Sequence, residues 1–187
     1  MPAICVYCSS SNAIADHYPP VAETLGRLLA ERGHSIVYGG GAVGLMGVLA
    51  RAAHENGGHV TGVIPSKLQN REGIAYDADE LIVTETMRER KRIMFSKADA
   101  FVVLPGGFGT LEEFMEVLTL KQLGYHDHPI ALLNVDGFFD TLLSFFEELR
   151  EGRFTREAFA ELVHVVPTAE AALDRLGTVA SPDGSVS

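Results

Sequence analysis

Nine consecutive residues, Pro105-Gly106-Gly107-Phe108-Gly109-Thr110-Leu111-Glu112-Glu113, join an anion cradle to a carboxylate. They follow an apolar, strand-like run, Ala100-Phe101-Val102-Val103-Leu104, and open a helical pattern of Phe114, Val117, Leu118 and Leu123. Glycines between a strand and a helix let backbone N–H groups converge on one point, and the helix dipole adds about 0.3–1 kcal/mol there for a nearby anion. Gly106, Gly107, Phe108, Gly109 and Thr110 are therefore expected to hold a phosphate. Glu113 has two readings from spacing alone: an acid/base carboxylate facing the bound group, or the last member of a capping box begun by Thr110.

A second glycine run, Gly39-Gly40-Gly41-Ala42-Val43-Gly44-Leu45-Met46-Gly47, satisfies G-x-G-x-x-G. The dinucleotide fingerprint follows the first strand and is answered by an acidic residue about 20 positions on. Here the glycines follow the second strand, and the next one, His59-Val60-Thr61-Gly62-Val63-Ile64, runs into Pro65-Ser66. NAD is not expected, and the run reads as a second wall of a nucleotide pocket, with tight helix packing as its plainer use. The densest positive cluster is Met87-Arg88-Glu89-Arg90-Lys91-Arg92. At about 100° per residue, Arg90 and Lys91 flank the stripe of Met87 and Met94, while Arg88 and Arg92 turn toward solvent. Arg90 offers a planar fork for phosphate or carboxylate and Lys91 a compact charge; a solvated face laced with salt bridges is the alternative.

Strand-length apolar runs recur at 3–8, 35–38, 59–64, 80–84, 99–104, 129–134 and 162–166. Amphipathic stretches lie between them near 18–32, 43–56, 86–97, 111–124, 137–150 and 168–176. This alternation predicts an α/β fold: a doubly wound, mostly parallel sheet with helices on both faces. Ligands then bind at the carboxyl ends of the strands, so Cys8-Ser9-Ser10-Ser11, the Gly39–Gly47 run and the Pro105–Glu113 run should share one edge.

The chain has 187 residues, 47% of them hydrophobic, which suits one domain over 1–177. A loose tail is expected over 178–187, where periodicity is lost. With 15 basic against 25 acidic residues, the formal charge of −10 opposes binding of a nucleic-acid polymer or an anionic membrane surface. The amino terminus lacks a basic flank before its short apolar run, and no stretch approaches the roughly 20 residues that span a bilayer, so a cytoplasmic location is expected. Cys5 and Cys8 form C-x-x-C, but residues three apart on a strand point to opposite faces, which predicts two ordinary buried thiols. The seven histidines are scattered, and neither a metal nor a cofactor is expected.

Together these segments resemble the LONELY GUY (LOG) family of cytokinin riboside 5'-monophosphate phosphoribohydrolases, formerly described as possible lysine decarboxylases. The likeness runs over about residues 3–150. It is carried by Cys8-Ser9-Ser10, by Gly39-Gly40-Gly41 with Gly44-Leu45-Met46-Gly47, and by two signatures. The family's M-H-x-R-K reads Met87-Arg88-Glu89-Arg90-Lys91, and its P-G-G-x-G-T-x-x-E reads Pro105 to Glu113. Arg88 replaces the usual His. The resemblance implies a Rossmann-like fold, a catalytic pair of Arg90 and Glu113, and hydrolysis of N6-substituted adenosine monophosphates, with AMP as a further substrate. Substrate contacts are implied for Glu72, Lys91, Leu111 and Glu112, and for Gly41, Met46 and Ser10 on the facing loops. It also implies a homodimer whose interface lies near the pocket, with 86–97 and 111–124 contributing.

The chemistry agrees with that implication. Breaking an N-ribosidic bond develops positive charge on the sugar and needs water as nucleophile. A carboxylate near C1' can stabilise the charge and take the water's proton, while a gripped 5'-phosphate turns remote binding into orientation. Arg90 is expected to position the sugar or phosphate and to hold Glu113 ionised. A carrier of a nucleotide or molybdopterin-type cofactor on the same fold is the competing function, since it needs the phosphate loop but not the Arg–Glu pair. Pyridoxal chemistry is disfavoured, because Lys67, Lys91, Lys97 and Lys121 lack the context of a Schiff-base lysine.

Overall fold

Among the described residues, the alternating apolar runs form seven strands: β1 (Ala3–Tyr7), β2 (Ser35–Tyr38), β3 (Val60–Pro65), β4 (Glu80–Thr84), β5 (Ala100–Val103), β6 (Ile130–Leu133) and β7 (His164–Val166). The computed structural model describes residues 1–72, 76–155 and 158–177, the side chains of 70–72 excepted. The expected tail at 178–187 lies outside the described residues. All strand pairings are parallel, and the sheet order is β4-β3-β2-β1-β5-β6-β7. The chain winds outward from β1 to β4 and then returns to the other side of β1 as β5. Strand order thus reverses between β1 and β5, where a doubly wound sheet opens its ligand crevice.

Side-chain alternation feeds two cores. Ile4, Val6, Ala100 and Val102 join Leu25 and Leu29 of α1 (Pro19–Glu31), Leu45 and Leu49 of α2 (Gly44–Glu55) and Leu173 of α8 (Ala169–Leu176) on one face. Cys5, Tyr7, Phe101 and Val103 join Met94 of α4 (Met87–Ser96), Phe114 and Val117 of α5 (Phe108–Gln122) and Phe146 of α6 (Asp140–Glu151) on the other. Cys8, just past β1, belongs to the first core and Cys5 to the second, so the two thiols do occupy opposite sides.

Two short helices escape the hydrophobic pattern, α3 (Ser66–Glu72) and α7 (Phe159–Leu162), each too brief for an amphipathic repeat to develop. More consequential is the start of α5. The sequence pattern opens this helix at Leu111, but it begins at Phe108, with Gly107 as an extended N-cap (φ −91°, ψ −156°). Thr110 is then inside the first turn and Glu113 a turn deeper. The capping box expected of those two residues is not formed, and no side chain caps α5. The N-cap that does form on a signature helix is Thr86, whose hydroxyl accepts the Glu89 N–H at 3.1 Å at the start of α4.

Candidate active site

Three strand ends converge. Beyond β1 and β5 the chain is stitched by the Ser9 N–H donating to Pro105 O (3.2 Å), and beyond β1 and β2 by the Met46 N–H donating to Ser9 O (3.3 Å). Asn12 reinforces the second junction, its Oδ1 accepting the Gly44 N–H at 2.8 Å. Between these loops lies a cleft of about 390 Å³. Ser9, Ser10, Gly39, Gly41 and Met46 form one side of it, and Gly107, Phe108, Gly109 and Thr110 the other, with Arg90 and Glu113 in its lining.

The α5 end of the cleft is suited to an anion. The first backbone hydrogen bond of the helix runs from the Leu111 N–H to Gly107 O at 3.0 Å, so the N–H groups of Phe108, Gly109 and Thr110 precede the ladder. A built Cβ on Gly107 or Gly109 would meet nothing within 4 Å, which leaves room for an oxyanion to reach the backbone. Phe108, between them, is 93% exposed.

Arg90 and Glu113 are each only 5% exposed, and Arg90 Nη1 lies 3.4 Å from Glu113 Oε1. Strand ends hold the guanidinium: Nε donates to Val63 O at 3.0 Å and Nη2 to Gly39 O at 3.3 Å. Gly39 admits this approach because a Cβ there would collide with the Arg90 guanidinium and crowd Met46. With the fork committed to two carbonyls and one carboxylate, Arg90 orients Glu113 rather than reaching freely into the cleft. The expectation that Arg90 keeps Glu113 ionised needs correction in its net result. Burial raises the Glu113 carboxyl from 4.5 to about 7, and the opposing pull of Arg90 only moderates that rise. A carboxylate poised near neutrality is suited to proton transfer.

Other expected contacts lie elsewhere. Lys91 faces α5 and pairs with Glu112 and, at 2.6 Å, with Glu116, so neither Lys91 nor Glu112 lines the cleft. Leu111 packs on the second core, and Gly106 borders a neighbouring cavity with Ile14, Tyr18, Leu45 and Phe138. Glu72 ends α3, and its side chain lies outside the described residues. Sequence reasoning missed Ile64, Leu68 and Met87 as cleft residues. Ile64 was accessible to the same strand-end rule that found the other loops, whereas Leu68 belongs to the helix with no periodic signal. Cys8 also lines the cleft, but burial pushes its thiol far above the ordinary range, which removes it as a nucleophile. Among the described residues no group of three metal-ligating side chains gathers.

Residues 46–176 match the family described as "possible lysine decarboxylase". The cytokinin riboside 5'-monophosphate phosphoribohydrolase LOG of Oryza sativa subsp. japonica is 47% identical over 166 residues, covering 89% of this chain and 69% of the relative. The phosphoribohydrolase LOG3 of Arabidopsis thaliana is 43% identical over 173 residues, covering 92% and 80%. Among solved structures, the molybdenum cofactor carrier protein of Chlamydomonas reinhardtii superposes with a TM-score of 0.72 at 28% identity, covering 94% of this chain and 97% of that one. The molybdenum cofactor binding protein of Rippkaea orientalis gives a TM-score of 0.70 at 26% identity, with 92% and 93% covered. The carriers share the Rossmann-like sheet, while the two phosphoribohydrolases are much nearer in sequence. By the extent and identity of these matches, the chain belongs to the LONELY GUY family, which also bears the description "possible lysine decarboxylase".

Proposed function

We propose that the protein hydrolyses the N-glycosidic bond of N6-substituted adenosine 5'-monophosphates, the cytokinin riboside monophosphates, and also of AMP, to the free base and ribose 5-phosphate. The observation that carries this reading is a buried carboxylate, Glu113, raised to about 7 and aimed by Arg90, one helical turn from an uncapped α5 N-terminus. The 5'-phosphate would dock on the N–H groups of Phe108, Gly109 and Thr110, which sets the ribose toward the Arg90–Glu113 pair. As the C1'–N9 bond breaks, the ionised Glu113 stabilises the developing sugar cation and takes a proton from the attacking water, whose oxygen forms the new bond to C1'. The departing base leaves with the bonding electron pair and takes a proton from solvent, while Glu113 releases to solvent the proton it took from the water. Arg90 acts as the residue that holds Glu113 in line, and no cofactor takes part.

The relatives named as phosphoribohydrolases support this reading. The molybdenum cofactor proteins give the competing one, binding without turnover. A product assay separates them: AMP and isopentenyladenosine monophosphate should release base and ribose 5-phosphate, while the dephosphorylated ribosides should react far more slowly. AMP retained intact in stoichiometric complex would favour the carrier, and equal rates with and without phosphate would remove the anchoring step.

A homodimer in the cytoplasm belongs to the same proposal. Exposed Met87, Met115, Leu123 and Tyr125 on and beside α4 and α5 support a subunit contact there, which sedimentation would test. No helix among the described residues is long and apolar enough to cross a membrane.

A further inference from the structure

Arg90 and Glu113 stand on different helices, and those helices rest on different strands: α4 lies on β3 and β4, α5 on β1. Their 3.4 Å approach therefore depends on how the two helices are fixed relative to one another. Among the described residues, the ion pairs that cross from α4 to α5 are Arg90 with Glu113 and Lys91 with both Glu112 and Glu116. Lys91 directly follows Arg90, and Glu112 directly precedes Glu113. The Lys91 side chain is 17% exposed, and its ammonium lies 2.6 Å from Glu116 Oε2 as well as against Glu112. None of the three lines the cleft, so a nucleotide held there would not meet them.

We propose that Lys91, with Glu112 and Glu116, is a positioning clip that fixes α4 against α5 and so sets the geometry of the Arg90–Glu113 pair. Glu112 and Glu116 are four apart on one helix, an arrangement that repels unless a cation sits between them. An ammonium with three rotatable donors can serve both carboxylates at once. Pairs with half-exposed carboxylates contribute little to global stability, so the clip acts through placement of groups more than through folding. Placement matters because a misalignment of about 1 Å at a reacting centre can cost on the order of 10²-fold in rate. This inference rests on the hydrolase reading for its kinetic consequence but not for its geometric one.

The test compares Lys91→Met, the double variant Glu112→Gln/Glu116→Gln, and all three changes combined. Each should lower kcat for AMP by about tenfold with KM changed less than about twofold, and the combined variant should be no worse than Lys91→Met alone, as expected of one coupled unit. Lys91→Arg should recover part of the rate. Titration of the Glu113 carboxyl by carbon NMR gives a second readout that needs no turnover. Direct charge effects would move its midpoint up in Lys91→Met and down in the double variant, whereas loss of the clip withdraws Arg90 and moves it up in both. A raised KM with kcat intact, additive losses, or opposite NMR shifts would overturn the clip. Absence of base release from the unaltered enzyme would instead overturn the hydrolase reading, leaving the NMR arm to decide the clip.

Discussion

Two glycine-rich turns face each other across the cleft and use glycine for opposite purposes. In the turn after β2, glycine is required by neighbours: Gly39 makes way for the Arg90 guanidinium, and Gly44, at φ +61°, lies where a Cβ would be 2.6 Å from Ser10 C and 2.7 Å from Ser9 O. In the turn after β5, Gly107 and Gly109 have no neighbour within 4 Å. The contrast is between those two pairs of glycines, since a Cβ on Gly41 in the first turn would meet only Met46 Sδ, at 3.4 Å, and one on Gly106 in the second would collide with Thr110. A glycine motif read from sequence alone does not separate these uses, because both need a missing Cβ. Close packing thus accounts for Gly39 and Gly44 of the G-x-G-x-x-G run, whereas Gly41 lines the cleft, and the proposed phosphate-binding role falls to the run without the dinucleotide spacing.

Substitutions can break this contrast. Of the glycine substitutions, Gly39→Ala should be the most damaging to activity: the new methyl displaces Arg90, and kcat should fall on the order of 10²-fold while the protein remains folded, because the atoms that must move are side-chain ends. Gly44→Ala meets backbone instead and adopts a positive φ, so it should lose about 1–3 kcal/mol of stability, read as a lower denaturant midpoint. Gly109→Ala should do the reverse. It lies in the first turn of α5, where alanine favours helix by up to about 1 kcal/mol, so stability should hold or rise while KM for AMP increases several-fold. Equal effects of Gly39→Ala and Gly109→Ala on KM would erase the distinction between the two turns.

The pH dependence sharpens it further. Burial pushes the Glu113 carboxyl up to about 7 from the 4.5 of an ordinary glutamate. The proposed mechanism needs the ionised form, so kcat/KM for AMP should fall tenfold per pH unit below about 7, and Gly39→Ala should move that limb upward as Arg90 is withdrawn. Stability runs the other way. A raised folded pKa means the protonated form is favoured by folding, so this contribution is full below 4.5 and is lost as pH rises through about 7. Glu113→Gln, which mimics the protonated acid, should therefore melt above the unaltered protein at pH 8, with the difference shrinking at pH 5.

Much of the architecture was legible because parallel strands buried on both faces leave unbroken apolar runs: the expected 35–38 coincides with β2 and 3–8 overshoots β1 by one residue, while 80–84 coincides with β4, an edge strand in which only Thr84 is buried. The start of α5 was not legible. Gly107-Phe108-Gly109 has poor helix propensity, yet the helix begins at Phe108 with Gly107 as its extended N-cap, so local propensity does not mark its start. That three-residue difference removes the capping alternative for Glu113, and the acid/base role is the one proposed for it. Arg90 was found by its place on the basic helix, but its neighbour Lys91 was not resolved by the same argument. Helical spacing put both beside the Met87–Met94 stripe without saying that one would meet strand carbonyls and the other the carboxylates of α5.

The central claim is that phosphate anchoring on α5 delivers the anomeric carbon to Glu113. Its most direct test is the rate of base release from AMP by Glu113→Gln at pH 8, measured beside AMP affinity. We predict that kcat falls about 10²–10⁴-fold, with affinity nearly unchanged because the anchoring N–H groups remain. Turnover close to that of the unaltered enzyme, or a loss carried entirely by weaker binding, would contradict it.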